Sequence, residues 1–302
     1  MNTLVSVVIP TCHRPDNLPR AIKSVINQTY NNYEIIVIDD NGLNTKTQKE
    51  TEQLISEFKK YSNFCYYPLD SNMGAAYARN KGIELSKGEY IAFLDDDDEF
   101  LPEKLTHQIE RLNNSDEYDA CYCRQQYIHK ENVYIVDDNY IEGDLSEDIL
   151  LLKNHVNTSC LIFRKDILKK MNGFNTKLVR HEDWDLLLRF FLNYKLAIDN
   201  SRNPQVNRYV GSFSHAPKGL DIIKRHIYYL KEFKLYIEKK PNSSLIFKEQ
   251  WKFVYSELFR QNYVFLGLMT AFKANSYKFL SYDEWRWVIA RFCKNFFKRY
   301  KS

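Results

Sequence analysis

Four short apolar runs, each closed by a polar loop, constrain the fold of this chain more than any other feature. They are Val5-Ser-Val-Val-Ile9, Glu34-Ile-Ile-Val-Ile38, Phe64-Cys-Tyr-Tyr67 and Gly88-Glu-Tyr-Ile-Ala-Phe-Leu94. In the richest of them apolar residues follow one another instead of alternating with polar ones, so the strands must be covered on both faces. That requirement describes a parallel sheet with helices on either side, an α/β architecture. The covering helices are legible as Leu18, Ala21, Ile22 and Val25 at helical spacing and as a segment around Leu54, Ile55 and Phe58. Pro10 is expected to stop the first strand. Successive strand ends then carry Thr11 to Arg14, Asp39-Asp40, Asp70-Ser-Asn72-Met-Gly74 and Asp95-Asp-Asp-Asp98-Glu99. Strand-end loops of a parallel sheet share one edge, so these four can converge on a cleft the size of a nucleotide.

The acidic run is costly by self-repulsion unless cations are near. A solvated turn before a helix beginning near Leu101-Pro102 would explain one or two acids but not five. A hard divalent ion, held partly by carboxylates and partly by substrate phosphates, explains both the clustering and the position. A second group, His181-Glu182-Asp183-Trp184-Asp185, precedes Leu186, Leu187, Phe190 and Phe191 at helical spacing. Acids in a first helical turn stabilise it by about 0.3 to 1 kcal/mol each, and one or two suffice for that. The surplus is a candidate general base. No Gly-x-Gly-x-x-Gly follows the first strand and no Gly-rich loop ends in Lys-Ser or Lys-Thr, which sets aside nicotinamide and P-loop chemistry.

The net charge of +4 is modest and gives no nucleic-acid signature. Six Cys at 12, 65, 121, 123, 160 and 293 are scattered mostly through strands, which reads as reduced thiols and neither a disulfide framework nor a zinc site. The N-terminus lacks a secretory pattern and no stretch reaches 18 uninterrupted apolar residues, so the expected location is the cytoplasm. Beyond residue 220 the chain reads as helical, with Ile222, Ile223, Ile227, Leu230, Phe233 and Ile237 on one face. Between Tyr282 and Ser302, six Lys or Arg stand against two acids, interleaved with Trp285, Trp287, Phe292, Phe296 and Phe297. A helix there could lie on anionic lipid or dock on its own domain, and periodicity does not choose between them.

Taken in order, Val7-Val-Ile-Pro-Thr11, Ile38-Asp-Asp40, Asn72-Met-Gly-Ala-Ala-Tyr-Ala-Arg-Asn80, Gly88 to Asp98 and Glu182-Asp183-Trp184 strongly resemble the family 2 inverting glycosyltransferases of the GT-A fold, of the bacterial surface-polysaccharide type. The likeness covers roughly residues 3 to 215; the last 80 or so residues carry no motif of that family. It implies a mixed, mainly parallel sheet flanked by helices, with a catalytic domain over 1–219 and a helical extension over 220–302. It implies a nucleotide pocket containing Thr11, Arg14, Asp40, Arg79, Asp95 and Asp96, with Asp97 holding Mn2+ or Mg2+ against the diphosphate of a UDP-sugar. The run is longer than the family's usual Asp-x-Asp, so a register through Asp96 and Asp98 stays open. Asp183 is the implied base, abstracting a proton from a hydroxyl of a saccharide or lipid-linked saccharide acceptor to give a β-linkage. Asp98, His181, Glu182 and His215 are secondary candidates, and a peripheral position on the inner face of the membrane would suit such an acceptor. Two rivals are weaker. A sugar-phosphate nucleotidyltransferase wants glycines after the first strand, where this chain has Pro10-Thr-Cys-His-Arg14. A non-catalytic binding scaffold has no reason to keep both carboxylate clusters.

Overall fold

The computed structural model describes residues 3–135, 140–153, 156–178, 181–209, 218–261 and 263–273, together with Arg286 and Ala290. Eleven strands are described: β1 Val5–Thr11, β2 Tyr33–Asp39, β3 Phe64–Pro68, β4 Tyr90–Phe93, β5 Asp98–Phe100, β6 Ala120–Tyr122, β7 Gln125–His129, β8 Asn132–Ile135, β9 Leu161–Arg164, β10 Leu196–Ile198 and β11 Val206–Tyr209. The helices are α1 Leu18–Ile26, α2 Lys46–Leu54, α3 Ala75–Leu85, α4 Lys104–Asn113, α5 Ser146–Leu150, α6 Lys165–Lys170, α7 Glu182–Phe190, α8 Leu220–Glu238, α9 Ser243–Arg260 and α10 Val264–Lys273.

Seven strands form the main sheet in the order β10-β6-β9-β4-β1-β2-β3. All its neighbours run parallel except β9, which lies antiparallel between β4 and β6. The expected mixed, mainly parallel sheet is therefore present, and its central strands β1, β2 and β4 are almost wholly buried. Val7, Ile9, Val37 and Ala92 share one core with Leu18, Ile22 and Val25 of α1 and Leu105, Ile109 and Leu112 of α4. On the other face Ile36 and Ile38 meet Ala78 of α3. That helix crosses β1 at Gly82, where a Cβ atom would fall 2.2 Å from Val8 Cγ1, so only glycine admits the approach.

Several elements depart from the sequence expectation. The first strand runs through Pro10 to Thr11 instead of stopping. Leu94 donates its N–H to Val8 O, so alternation turns Pro10 toward the same side, beyond the last β1–β4 pair at Val8 and Phe93. No ladder bond is lost there, which is where a strand tolerates proline. Residues Thr158–Cys160, a stretch for which no turn was expected, form a 3-10 turn, because the Asn157 side chain accepts the Ser159 N–H and tightens the chain before β9. The segment around Leu54 and Phe58 divides into α2 and a 3-10 turn at Ser56–Lys60.

A second, four-stranded sheet in the order β5-β11-β7-β8 was not evident in the sequence. It takes the end of the acidic run as its first strand, β5, paired antiparallel to β11.

By contacts along the chain, residues 1–146 and 154–212 form one compact unit and 147–153 with 213–302 another. In the second unit α8 buries Ile222, His226, Tyr229, Leu230, Phe233 and Ile237. Ile227, expected on that face, is exposed; His226, stacked against Tyr229 and edge-on to Trp251, takes its place. Ile222 packs with Val254 and Leu258 of α9. Apart from Arg286 and Ala290, the tail of residues 282–302 lies outside the described residues. No described helix is long and apolar enough to cross a membrane.

Candidate active site

The carboxyl ends of β1 and β4 meet at the acidic run. Thr11, the last residue of β1, donates its hydroxyl to Asp96 Oδ2 at 2.8 Å. Arg14 pairs with Asp96 Oδ1 at 2.7 Å and also with Asp97, while Arg20 Nη2 donates to Asp97 O at 2.8 Å. Asp96 thus turns inward to the first strand. Burial pushes its carboxyl up to about 7, against the opposing pull of Arg14 and Thr11.

The other three aspartates face one another: Asp95, Asp97 and Asp98 each place a carboxylate oxygen within 4.8 Å of the others. Asp95 accepts from Arg79 Nη2 at 2.7 Å and gives its N–H to Ser159 Oγ at 3.1 Å. Burial works against its charge, but Arg79 holds it below the usual carboxylate range. Asp98 Oδ2 accepts from Ser159 Oγ at 2.6 Å and from Arg208 Nε at 3.3 Å. Burial nevertheless raises Asp98 to about 7, and it raises Asp97 as well despite Arg14. Three oxygen donors turned to one point, two of them desolvated with raised proton affinity, are a hard donor set that suits Mg2+ or Mn2+. The trio includes Asp97, expected as the metal ligand, and Asp98, a secondary candidate, but not Asp96.

Asp40, the residue after β2, has a different task. Its two carboxylate oxygens accept the N–H groups of Met73 at 2.6 Å and Gly74 at 2.8 Å, and Asn72 Nδ2 donates to Asp40 O at 2.9 Å. It therefore ties the third strand-end loop to the second, ahead of α3. Asp39, its neighbour, is buried on Tyr66 and Asn41.

Helix α3 carries Arg79 into the interior, where it spans the two acidic clusters: Nη2 binds Asp95 and Nη1 binds Glu182 Oε1 at 2.9 Å. Although burial opposes its charge, those two carboxylates raise the affinity of Arg79 for its proton still further. Glu182 begins α7, whose first turn also contains Asp183 and Asp185. His181 precedes it in a left-handed conformation, φ 61°, with its ring 4.8 Å from that of Trp184. Asp185 turns back to Arg189 at 2.7 Å, which in turn caps Met171 O and Gly173 O, so its role is structural. Asp183 accepts the Trp184 N–H at 2.9 Å, and burial, with Glu182 next to it, pushes it up to about 6. A carboxylate so tuned is a stronger base than a solvated one yet mostly ionised at neutral pH. His215 lies outside the described residues.

Two groups here escaped sequence reasoning. Arg208 reaches Asp98 from β11, 110 residues away, and Ser159 bridges Asp95 to Asp98 from the 3-10 turn. Neither sits in an informative run; only the pairing of β5 with β11 and the capped turn bring them in. A lone arginine among polar strand residues carries no local signal.

This mixed sheet flanked by helices, with an acidic turn at the end of its fourth strand, has the GT-A fold. The S. aureus protein TarS, solved as its 1–349 fragment with UDP-GlcNAc, superposes with a TM-score of 0.63 over 84% of this chain and 72% of that one, at 17% identity. The chain belongs to glycosyl transferase family 2, whose family model matches residues 6–172. It is 31% identical over 201 residues to the uncharacterized glycosyltransferase MJ1057 of Methanocaldococcus jannaschii, which covers 65% of this chain and 67% of that protein. Against the uncharacterized glycosyltransferase RT0329 of Rickettsia typhi it is 34% identical over 193 residues, 62% of this chain and 58% of the relative. WcaA of Escherichia coli K12, a name carrying a colanic acid biosynthesis assignment, is 29% identical over 197 residues, 64% of this chain and 68% of its own. The match thus spans between about three fifths and two thirds of these relatives' lengths.

Proposed function

We propose that this chain is a metal-dependent inverting glycosyltransferase that moves a sugar from a UDP-sugar to a hydroxyl of a saccharide or lipid-linked saccharide, forming a β-linkage. The observation that carries the reading is the Arg79 bridge, which brings the acidic turn and the first turn of α7 to one place. Asp95, Asp97 and Asp98 would hold Mn2+ or Mg2+, with Asp97 the principal ligand. Bound there, the ion supplies charge neutralisation for the departing diphosphate. Thr11, Arg14, Asp40, Arg79, Asp95 and Asp96 form the nucleotide side: Arg14 and Arg79 are the cations nearest the acidic turn, and Asp40 fixes the loop over which the nucleoside would lie. Asp183 takes the acceptor proton, and its raised proton affinity suits that step. Glu182, engaged by Arg79, orients α7 rather than acting as the base. His181 and His215 stay secondary.

Residues 1–219 would form the catalytic domain and 220–302 a helical extension, whose basic aromatic tail would lie on the inner leaflet of a bacterial membrane and bring lipid-linked acceptors within reach. The UDP and UDP-GlcNAc complexes of TarS support a UDP-sugar donor. The colanic acid assignment of WcaA supports a surface-polysaccharide acceptor.

Isothermal titration of UDP with and without MnCl2, followed by a panel of UDP-sugars assayed for UDP release, tests the reading. Mn2+-dependent UDP binding and turnover of at least one donor are expected. Absence of both leaves a non-catalytic scaffold.

A further inference from the structure

The second sheet continues the active site outward. Directly paired residues on neighbouring strands share a face, and register places Asp98 opposite Arg208, Arg208 opposite Tyr127, and Tyr127 opposite Tyr134. One face of β5, β11, β7 and β8 therefore carries an unbroken row that starts at the proposed metal ligand Asp98 and ends at Tyr134 on the edge strand. Its inner part is physically connected: Arg208 Nε lies 3.3 Å from Asp98 Oδ2, and its guanidinium sits 5.8 Å from the centre of the Tyr127 ring. Strands lie about 4.8 Å apart, so Tyr127 is roughly 10 Å and Tyr134 roughly 14 Å from the strand of Asp98. Tyr134 is 50% exposed although it is a large aromatic residue in a strand.

We infer that this row is the acceptor subsite, and that it binds the successive sugar rings of an oligosaccharide rather than a single sugar. The inference rests on the proposed function and deepens it. Spaced outward from the proposed metal ligand Asp98, the two tyrosines set flat apolar rings along the row; Tyr127 accepts from Gln125 Nε2 at 3.3 Å, and the exposed Tyr134 offers its ring to the C–H faces of pyranoses and its hydroxyl to their OH groups, the mixed character that amphipathic sugar rings require. Arg208, held by Asp98, adds hydrogen-bond donors at the inner end of the row. The span exceeds one ring, so the site rewards length.

The test uses the full chain with its preferred UDP-sugar and α- and β-linked hexose and N-acetylhexosamine oligosaccharides of one to four units. KM should fall with acceptor length up to three or four units. Tyr134→Ala should raise KM for the longest acceptor roughly tenfold, equivalent to about 1.4 kcal/mol, and flatten the length dependence. Tyr134→Phe should restore most of the length effect, and unchanged UDP affinity in both variants shows that the donor side is intact. A KM indifferent to length and to Tyr134 overturns the inference. So does UDP turnover with no saccharide accepted, which would assign the face to another chemistry. If Tyr134→Ala instead converts a dimer to a monomer by light scattering, the edge strand joins two copies and the inference is wrong. If UDP itself does not bind, the proposed function falls first.

Discussion

At the scale of single residues, burial sets the chemistry of this site more than pairing does. Asp183 is pushed up to about 6 by desolvation, with Glu182 adding to it. A base must be ionised, so kcat/KM should fall as pH drops below about 6, and that limb should vanish in Asp183→Asn. The same variant keeps shape while losing the proton acceptor, and should lower kcat by roughly 10² to 10⁴ with UDP affinity near wild type. A change confined to KM would make Asp183 a binding residue. Asp97 stands apart from its neighbours because its side chain is the most exposed of the four aspartates, at 29%, and pairs with the half-exposed Arg14. Asp97→Ala should cost Mn2+-dependent UDP affinity roughly tenfold or more, since one of three hard donors is lost. Wild-type turnover in this variant would refute the assignment and favour a register through Asp98. The carboxylates were legible as clusters in the sequence. Which of the four turns inward was not, because Asp96 is selected by Thr11 and Arg14 across 85 and 82 residues.

Among the elements, α3 has the tightest placement. Arg79 reaches both acidic groups only because Gly82, three residues further along, lets the helix lie directly on β1. Gly82→Ala should therefore do two things: destabilise the fold by about 1 to 3 kcal/mol through overpacking, and reduce turnover by withdrawing Arg79 from Asp95 and Glu182. Thermal unfolding and kcat should both recover in part when Val8→Ala is added, since the methyl groups that clash are those of Val8. No coupling between the two substitutions in that double-mutant cycle would sink the argument. The sequence showed Arg79 within the Asn72 to Asn80 motif, but not the depth of the helix that carries it. Helix depth depends on which side chain opposes a glycine across the interface.

For the molecule as a whole, pH and metal should act on stability together. Asp96, Asp98 and Asp199, the buried residue after β10 whose N–H donates to Tyr122 O, are raised to about 7 and Asp183 to about 6, each chiefly by burial. Groups whose folded values lie above the unfolded carboxylate value, near 4, stabilise the fold fully below that pH, and the contribution is lost as pH rises through about 6 to 7. Calorimetry of the metal-free protein should thus show Tm lower at pH 8 than at pH 5, by roughly 4 to 8 °C for a net of about 2 kcal/mol. At pH 8, MnCl2 should recover part of the loss by binding the folded state alone. A Tm that rises with pH would show that the paired carboxylates dominate instead. On the proposed membrane association, deletion of residues 282–302 should reduce sedimentation with anionic liposomes most strongly at low salt, because each basic residue near a charged leaflet is worth roughly 1 kcal/mol and is screened by ions. Unchanged sedimentation would discard the lipid reading of the tail.

The sequence by itself determined the α/β class, the order of the main strands and helices, and the family, since apolar runs, their polar strand-end loops and several ordered motifs are local patterns. It also marked Asp95 to Asp98 and Glu182-Asp183 as chemically loaded, because like charges at such density need a cause. Only the tertiary structure decided that β5 opens a second sheet, that Ser159 and Arg208 hold the acidic turn, and that Tyr127 and Tyr134 line up with Asp98. It also decided that Pro10 continues β1, its missing N–H falling past the last β4 pair. Those features share one physical reason: they arise from pairings between segments up to 110 residues apart, and a pairing leaves no mark on either segment alone.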